Sequence, residues 1–167
     1  NLGTSCDLGA SWALPRLVGL RQARELGVVS RLAEHASGST PYSAVLGMRR
    51  GVPELQLSST LQGLALDLPA PLRKPAETLL PLQFDNTLTP ESLASTGPAP
   101  APLLDRVRAR LGTLVSVDYL RDVSGASARV QRGAITVGDT EPATLPTTGV
   151  TAQVRLPALD IDAWHSV

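Results

Sequence analysis

The sequence predicts a mainly β protein of the α+β class, with a curved, antiparallel-rich sheet that has one apolar face and a short N-terminal helix. The first observation is an alternation of apolar and polar residues with period two, which recurs after residue 41. The second is helical spacing, which is clearest in the first 35 residues. We therefore predict a helical segment over residues 1–36 and a β-rich segment over residues 37–167.

The N-terminal helix is predicted within residues 14–35. Pro15 suits its first turn, where a missing backbone N–H costs nothing, and Gly27 suits its end or a bend. A second helix start is predicted near the end of the chain, where Asp160 or Asp162 could cap it. The apolar positions at steps of three and four in the first helix are Leu14, Leu17, Val18, Leu20, Ala23, Leu26, Val29 and Leu32.

A β-hairpin is predicted over residues 42–58, with its turn near Gly51-Val52-Pro53. The strand that follows is predicted to continue to residue 68, although its alternation slips by one residue at Gly63. A one-residue slip at a glycine is typical of a β-bulge, which keeps both halves on the same core. The leucines on the two sides of the slip are Leu55, Leu57 and Leu61, then Leu64, Leu66 and Leu68.

Three further strands are predicted over residues 79–88, 132–138 and 149–157. Between the first two lies a stretch rich in Thr, Ser, Gly, Ala and Pro, residues 89–102, which predicts a flexible loop.

Residues 103–119 allow two interpretations, a pair of strands broken near Gly112 or a short helix that ends there. If the segment is strand, then Arg106, Arg108 and Arg110 share one face. We expect a solvated strand face, which could meet anionic headgroups if the protein handles lipid.

Composition excludes several functions. The 15 basic and 15 acidic residues cancel, which argues against a nucleic-acid partner held by its phosphates. The aromatic fraction of 3% leaves no platform for stacking bases. The only histidines, His35 and His165, form no recognisable motif with a nucleophile, so the sequence does not predict a hydrolytic triad. It also shows no cluster of metal-ligating residues. We expect no cofactor, no metal and no catalytic site.

The opening stretch, DLGASWALPRLVGLRQAREL from Asp7 to Leu26, resembles the crotonase family of enoyl-CoA hydratases and isomerases. By that resemblance, Asp7 and Glu25 fall where some members keep acid/base carboxylates. The match covers roughly the first thirty residues and lacks the part that supplies the oxyanion hole, usually the largest catalytic contribution. A fragment of such an enzyme remains one alternative, and whether residues 1–35 are native to the rest stays open.

The remainder, about residues 36–167, resembles the YhdP branch of the AsmA-like envelope proteins. The motifs that carry the resemblance are SGSTPY from Ser37, GVPEL from Gly51, STLQGLALDLPAPLRK from Ser59, RGAI from Arg132, GV at Gly149 and LDIDAW from Leu159. The resemblance implies a β-rich, periplasmic segment of a large protein anchored in the inner membrane, with an apolar groove that moves phospholipid toward the outer membrane.

On this interpretation the chain is not an enzyme, and its partners are phospholipid acyl chains and the remainder of the parent protein. An open apolar face would also make the isolated chain self-associate. The alternation itself fits any β protein with a buried core, so a plain structural module remains an alternative. The groove candidates are Leu55, Leu57, Leu64, Leu66, Val107, Ala109, Val115, Val117, Val150, Ala152, Val154 and Leu156.

Overall fold

The computed structural model describes residues 34–94, 102–138 and 141–165. The helix predicted within residues 14–35, together with Asp7 and Glu25, therefore lies almost entirely outside the described residues. The elements in chain order are β1 (Ala36–Gly38), β2 (Tyr42–Arg49), β3 (Val52–Ser59), β4 (Leu64–Leu66), β5 (Leu82–Leu88), α1 (Pro90–Ala94), β6 (Leu104–Leu111), β7 (Val115–Asp122), β8 (Arg129–Val137), β9 (Gly149–Val154) and α2 (Ile161–His165).

Seven of the strands form one open sheet in the order β2-β3-β5-β6-β7-β8-β9. Neighbouring strands run antiparallel except for β8 and β9, which are parallel. The two short strands β1 and β4 form a separate antiparallel pair. The prediction of a mainly β, antiparallel-rich fold is confirmed.

The β2–β3 hairpin turns through two residues, Arg50 and Gly51, whose φ angles are 49° and 78°. Two consecutive positive φ angles define a type I′ turn, which matches the right-handed twist of the strands it joins. The hairpin prediction is confirmed, but the turn lies one residue earlier than the sequence suggested, and Val52 and Pro53 already belong to β3.

Strand is confirmed at residues 54–59 and 64–66, but the prediction of one continuous strand over residues 54–68 is wrong, because β3 ends at Ser59 and β4 pairs with β1 instead. The slip at Gly63 is therefore a change of sheet rather than a bulge. Gly63 has a φ of 92°. Between β3 and β4, the Ser59 hydroxyl accepts a hydrogen bond from the Leu61 N–H at 3.0 Å. This local bond takes the place of a bond to a neighbouring strand.

Residues 104–122 form the strands β6 and β7, so the strand interpretation of this segment is confirmed and the helix alternative is wrong. The predicted strand over residues 79–88 begins only at Leu82. The strand predicted over residues 149–157 ends at Val154, where the Arg155 N–H donates the last sheet bond to the Val137 carbonyl.

The predicted loop over residues 89–102 begins with the short helix α1. Thr89 caps it, since the Ser92 N–H donates to the Thr89 hydroxyl at 3.3 Å. The Ser92 hydroxyl in turn accepts from the Leu104 N–H at 2.7 Å, which fixes α1 beside the start of β6. Ser92 is thus buried, and Arg50 Nη1 donates to its carbonyl. The flexibility of the rest of the loop stays a prediction.

The parallel strand β9 requires a crossover after β8, and the described part of it starts at residue 141. The Ala143 N–H donates to the buried Thr136 hydroxyl at 3.0 Å. The crossover therefore passes over the face of the sheet on which Thr136 lies. At the C-terminal end, Asp160 caps α2 by accepting from the Ala163 N–H at 3.0 Å. Trp164 Nε1 then donates to the Ala70 carbonyl at 3.0 Å.

Candidate functional site

One face of the seven-stranded sheet is apolar except at Ser59 and Asn86, and we call it the apolar face. Its first level crosses the strands at Leu46, Leu55, Asn86, Val107, Tyr119, Gly133 and Val150. Its second level crosses them at Ala44, Leu57, Phe84, Ala109, Val117, Ile135 and Ala152. Its third level crosses them at Tyr42, Ser59, Leu82, Leu111, Val115, Val137 and Val154.

The apolar face is exposed at both of its edge strands. Among residues 34–94, 102–138 and 141–165, the helix α1 lies beside the start of β6, at one end of this face. Val107 at its centre is buried, whereas Leu46 on the β2 edge is 63% exposed and Val154 on the β9 edge is 59% exposed. From ordinary strand spacing and rise, the three levels cover about 29 Å by about 13 Å, or roughly 380 Å². The largest apolar patch of a soluble monomer is commonly of this size, and such patches are often functional.

Most of the residues that the sequence singled out meet on the apolar face. These are Leu55, Leu57, Val107, Ala109, Val115, Val117, Val150, Ala152 and Val154. Leu64 and Leu66 do not, because they belong to β4 and pair with Gly38 and Ala36 in the two-stranded sheet. Leu156 does not either, because β9 has ended before it.

The sequence analysis missed the apolar-face residues of β2 and β5. Tyr42, Ala44, Leu46 and Met48 alternate with period two, and this signal was sufficient to place them on one face. Phe84 on β5 lies opposite both Leu57 and Ala109 in the second level, which local alternation does not show.

Charged side chains occupy the opposite face, which we call the polar face. Arg106 binds Asp118 there, with Nη2 at 2.6 Å from Oδ2, and Arg108 binds Asp85, with Nη2 at 3.0 Å from Oδ2. The hydrogen bonds that Arg106 donates to the Asp118 carboxylate raise the pKa of Arg106 above its ordinary value, so the guanidinium stays charged. Arg110 shares this face. The arginine stripe is therefore a solvated strand face, and it lies on the side of the sheet away from the apolar face.

Tyr119 and Gly133 face each other on β7 and β8 in the first level. A Cβ built on Gly133 would lie 2.3 Å from Cδ1 of the Tyr119 ring. The ring therefore lies over the glycine and fills the place of its missing side chain, a device that keeps a sheet continuous across a glycine. The apolar face has no gap at this point.

One end of the apolar face carries an ion pair. Arg121 donates to Asp105 through Nε at 2.9 Å and through Nη2 at 2.5 Å. Beside it, the Asn86 side chain lies between β3 and β5, where it accepts from the Leu55 N–H and donates to the Pro53 carbonyl, both at 2.9 Å. These polar groups are hydrogen-bonded to protein partners, as buried polar groups normally are.

No group of three or more metal-ligating side chains is assembled within the part of the chain that the structure describes. His35 and His165 lie on β1's flank and on α2, far apart in sequence and in different elements. No described helix has the length and apolar character needed to cross a membrane.

A family model described as "YhdP protein" matches residues 1–167, the whole chain. The chain belongs to the YhdP family. No curated protein and no solved structure matches it. Because the family match includes residues 1–35, the opening segment belongs with the rest, and the crotonase resemblance of Asp7 and Glu25 is not supported. Membership is consistent with a place in the cell envelope.

Proposed function

We propose that this YhdP-family chain is a non-catalytic segment of a larger periplasmic, inner-membrane-anchored protein and that its apolar face contacts phospholipid acyl chains. In this role it forms part of a groove along which phospholipid moves toward the outer membrane. The observation that carries the proposal is the apolar face itself, which is continuous over seven strands and open at both edges. Family membership supports the envelope setting.

The physical basis is the hydrophobic effect, which needs no reactive group. Covering roughly 380 Å² of apolar surface releases roughly 10 kcal/mol before the costs of ordering and association are subtracted. Acyl chains present CH₂ groups without hydrogen-bonding atoms, so they leave no polar group unsatisfied on such a surface. The half-buried central residues and the exposed edge residues would both lose contact with water when an acyl chain lies across them.

The test uses two neighbouring residues on the edge strand β2. Leu46 is 63% exposed on the apolar face, and Val45 is 60% exposed on the polar face. A carboxylate at either position keeps access to water, so both Leu46→Asp and Val45→Asp should fold. We expect Leu46→Asp to weaken binding of a fluorescent phospholipid about tenfold and Val45→Asp to leave it unchanged, because only the first charge meets the acyl chains.

A second pair repeats the test on the opposite edge, with Val150→Asp on the apolar face and Thr151→Asp on the polar face. Circular dichroism melting controls for folding. The proposal fails if the wild-type chain binds no phospholipid, or if substitutions on the two faces weaken binding equally. Selective loss at Leu46 and Val150 would support it.

Self-association belongs to the same proposal. An open apolar face of this area should make the isolated chain form oligomers in the absence of lipid. Sedimentation velocity should show a smaller species for Leu46→Asp than for Val45→Asp. Equal sedimentation of the two variants would mean that this face does not drive association.

A further inference from the structure

Asp105 and Arg121 are the charged residues that the seven sheet strands place on the apolar face within the described chain. They lie directly opposite each other on β6 and β7. Their level is two residues, or about 7 Å, beyond Val107 and Tyr119, at the end of the apolar surface. The remaining charged residues of these strands lie on the polar face or at strand ends.

The two members of this pair differ in exposure. The Asp105 side chain is 1% exposed, whereas that of Arg121 is 19% exposed. The carboxylate is therefore buried, and the guanidinium partner is partly exposed to solvent. The Asp105 carboxylate accepts one hydrogen bond from Nε and one from Nη2 of Arg121. A guanidinium has five N–H donors in all. The other three donors, two on Nη1 and one on Nη2, have no hydrogen-bond partner among the residues that the structure describes.

We propose that Arg121 donates these remaining hydrogen bonds to the phosphate group of a phospholipid whose acyl chains lie on the apolar face. This inference rests on the proposed function and names the headgroup chemistry of the same site. Donors on Nη1 and Nη2 form the fork that matches two phosphate oxygens. Asp105 is a positioning residue, because its two hydrogen bonds fix the plane of the guanidinium before the lipid arrives.

The ion pair also bears on which ligands such a site would bind. Asp105 cancels the charge of Arg121 over longer distances, so a free anion gains little by approaching from solution. A phosphate carried by acyl chains that already lie on the apolar face is held beside the donors and needs no long-range attraction. We therefore expect a site that binds phospholipid, distinguishes it from an uncharged lipid with the same chains, and binds inorganic phosphate weakly.

The experiment uses the whole chain and three probes: dioleoyl phosphatidylglycerol, dioleoylglycerol and inorganic phosphate. Binding of the two lipids is measured by native mass spectrometry and by displacement of a fluorescent fatty acid. Since Arg121→Gln alone would leave Asp105 buried without its partner, the main variant is the double substitution Asp105→Asn with Arg121→Gln. The matched control is Arg110→Gln on the polar face, for which the structure gives no ion pair among the described residues.

We expect the wild-type chain and Arg110→Gln to bind the phospholipid about tenfold more tightly than dioleoylglycerol. The double variant should lose that preference while its affinity for dioleoylglycerol is unchanged. Arg121→Lys, which keeps the charge but not the fork, should retain part of the preference.

Three results would overturn the inference. The first is equal binding of both lipids by the wild-type chain, which leaves the proposed function intact. The second is an equal loss of affinity for both lipids in the double variant, which would mean that the ion pair has a purely structural role. The third is Arg121-dependent binding of inorganic phosphate as tight as that of the phospholipid, which would indicate a free-anion site. If the wild-type chain binds neither lipid, the proposed function fails as well.

Discussion

Gly63 is a position where the fold should be sensitive to a single added methyl group. It has a φ of 92°, and a Cβ built on it would lie 2.3 Å from the Ser39 carbonyl oxygen. Gly51 is a matched control, because its φ is 78° but a Cβ there would meet nothing within 4 Å. Gly47 is a second control, which has neither a positive φ nor a close neighbour.

The expected loss of stability at each glycine is the sum of separate free-energy costs of the added methyl group. At Gly51, alanine pays about 1–2 kcal/mol for a left-handed backbone and regains about 0.4–1 kcal/mol from the less flexible unfolded chain. At Gly63, the Ser39 carbonyl must also move by about 1 Å to reach ordinary contact. That movement disrupts the hydrogen bond from the Ser39 N–H to the Gly63 carbonyl, about 1 kcal/mol more, and adds backbone strain.

We therefore expect Gly47→Ala to be close to neutral, Gly51→Ala to lose about 1 kcal/mol and Gly63→Ala to lose about 3 kcal/mol. At about 2–4 °C per kcal/mol for a chain of this size, the melting temperatures should fall by about 3 °C and about 9 °C for the last two. Thermal unfolding is followed by far-ultraviolet circular dichroism.

The small β1–β4 sheet could open without the main sheet, so amide hydrogen exchange is measured on the same variants. In that case the Gly63→Ala chain would melt normally but lose protection at Leu66 and Lys74, whose N–H groups bond each other's carbonyls at 2.8 Å and 3.0 Å. The reasoning is refuted if Gly63→Ala matches Gly51→Ala in both melting temperature and exchange.

Two further predictions concern the apolar face and its polar end. Gly133→Ala should displace the Tyr119 ring and lower the free energy of unfolding by about 1–3 kcal/mol, measured by urea denaturation, and an unchanged midpoint would contradict the ring's position over the glycine. The Asp122 carboxylate accepts from the Ser124 N–H at 2.9 Å, which lowers the pKa of Asp122. A lowered pKa contributes stability that is present above the unfolded value, about 3.9, and is lost as the pH falls through the folded value. In an NMR titration, Ser124→Pro should return this pKa to its ordinary range, and no change would contradict the assigned cause.

The fold class and the composition of each strand face follow from local features of the sequence. Period-two alternation is a local property, because successive side chains of a strand point to opposite sides. It placed Leu55, Leu57, Val115 and Val117 on apolar strand faces without any tertiary information. Local turn chemistry likewise identified the β2–β3 hairpin, and capping chemistry narrowed the cap of α2 to Asp160 or Asp162, of which the structure shows Asp160.

Only the tertiary structure decided which strands share a sheet. The alternation on both sides of Gly63 is equally regular, yet β3 joins the large sheet and β4 pairs with β1, because pairing depends on distant partners. The same limit applies to Asp105 and Arg121. They are 16 residues apart in the sequence, and nothing local to either shows that the register of β6 and β7 sets one opposite the other. Hydrogen-bond register is a relation between two strands, and this relation turns separate alternating segments into one continuous apolar face.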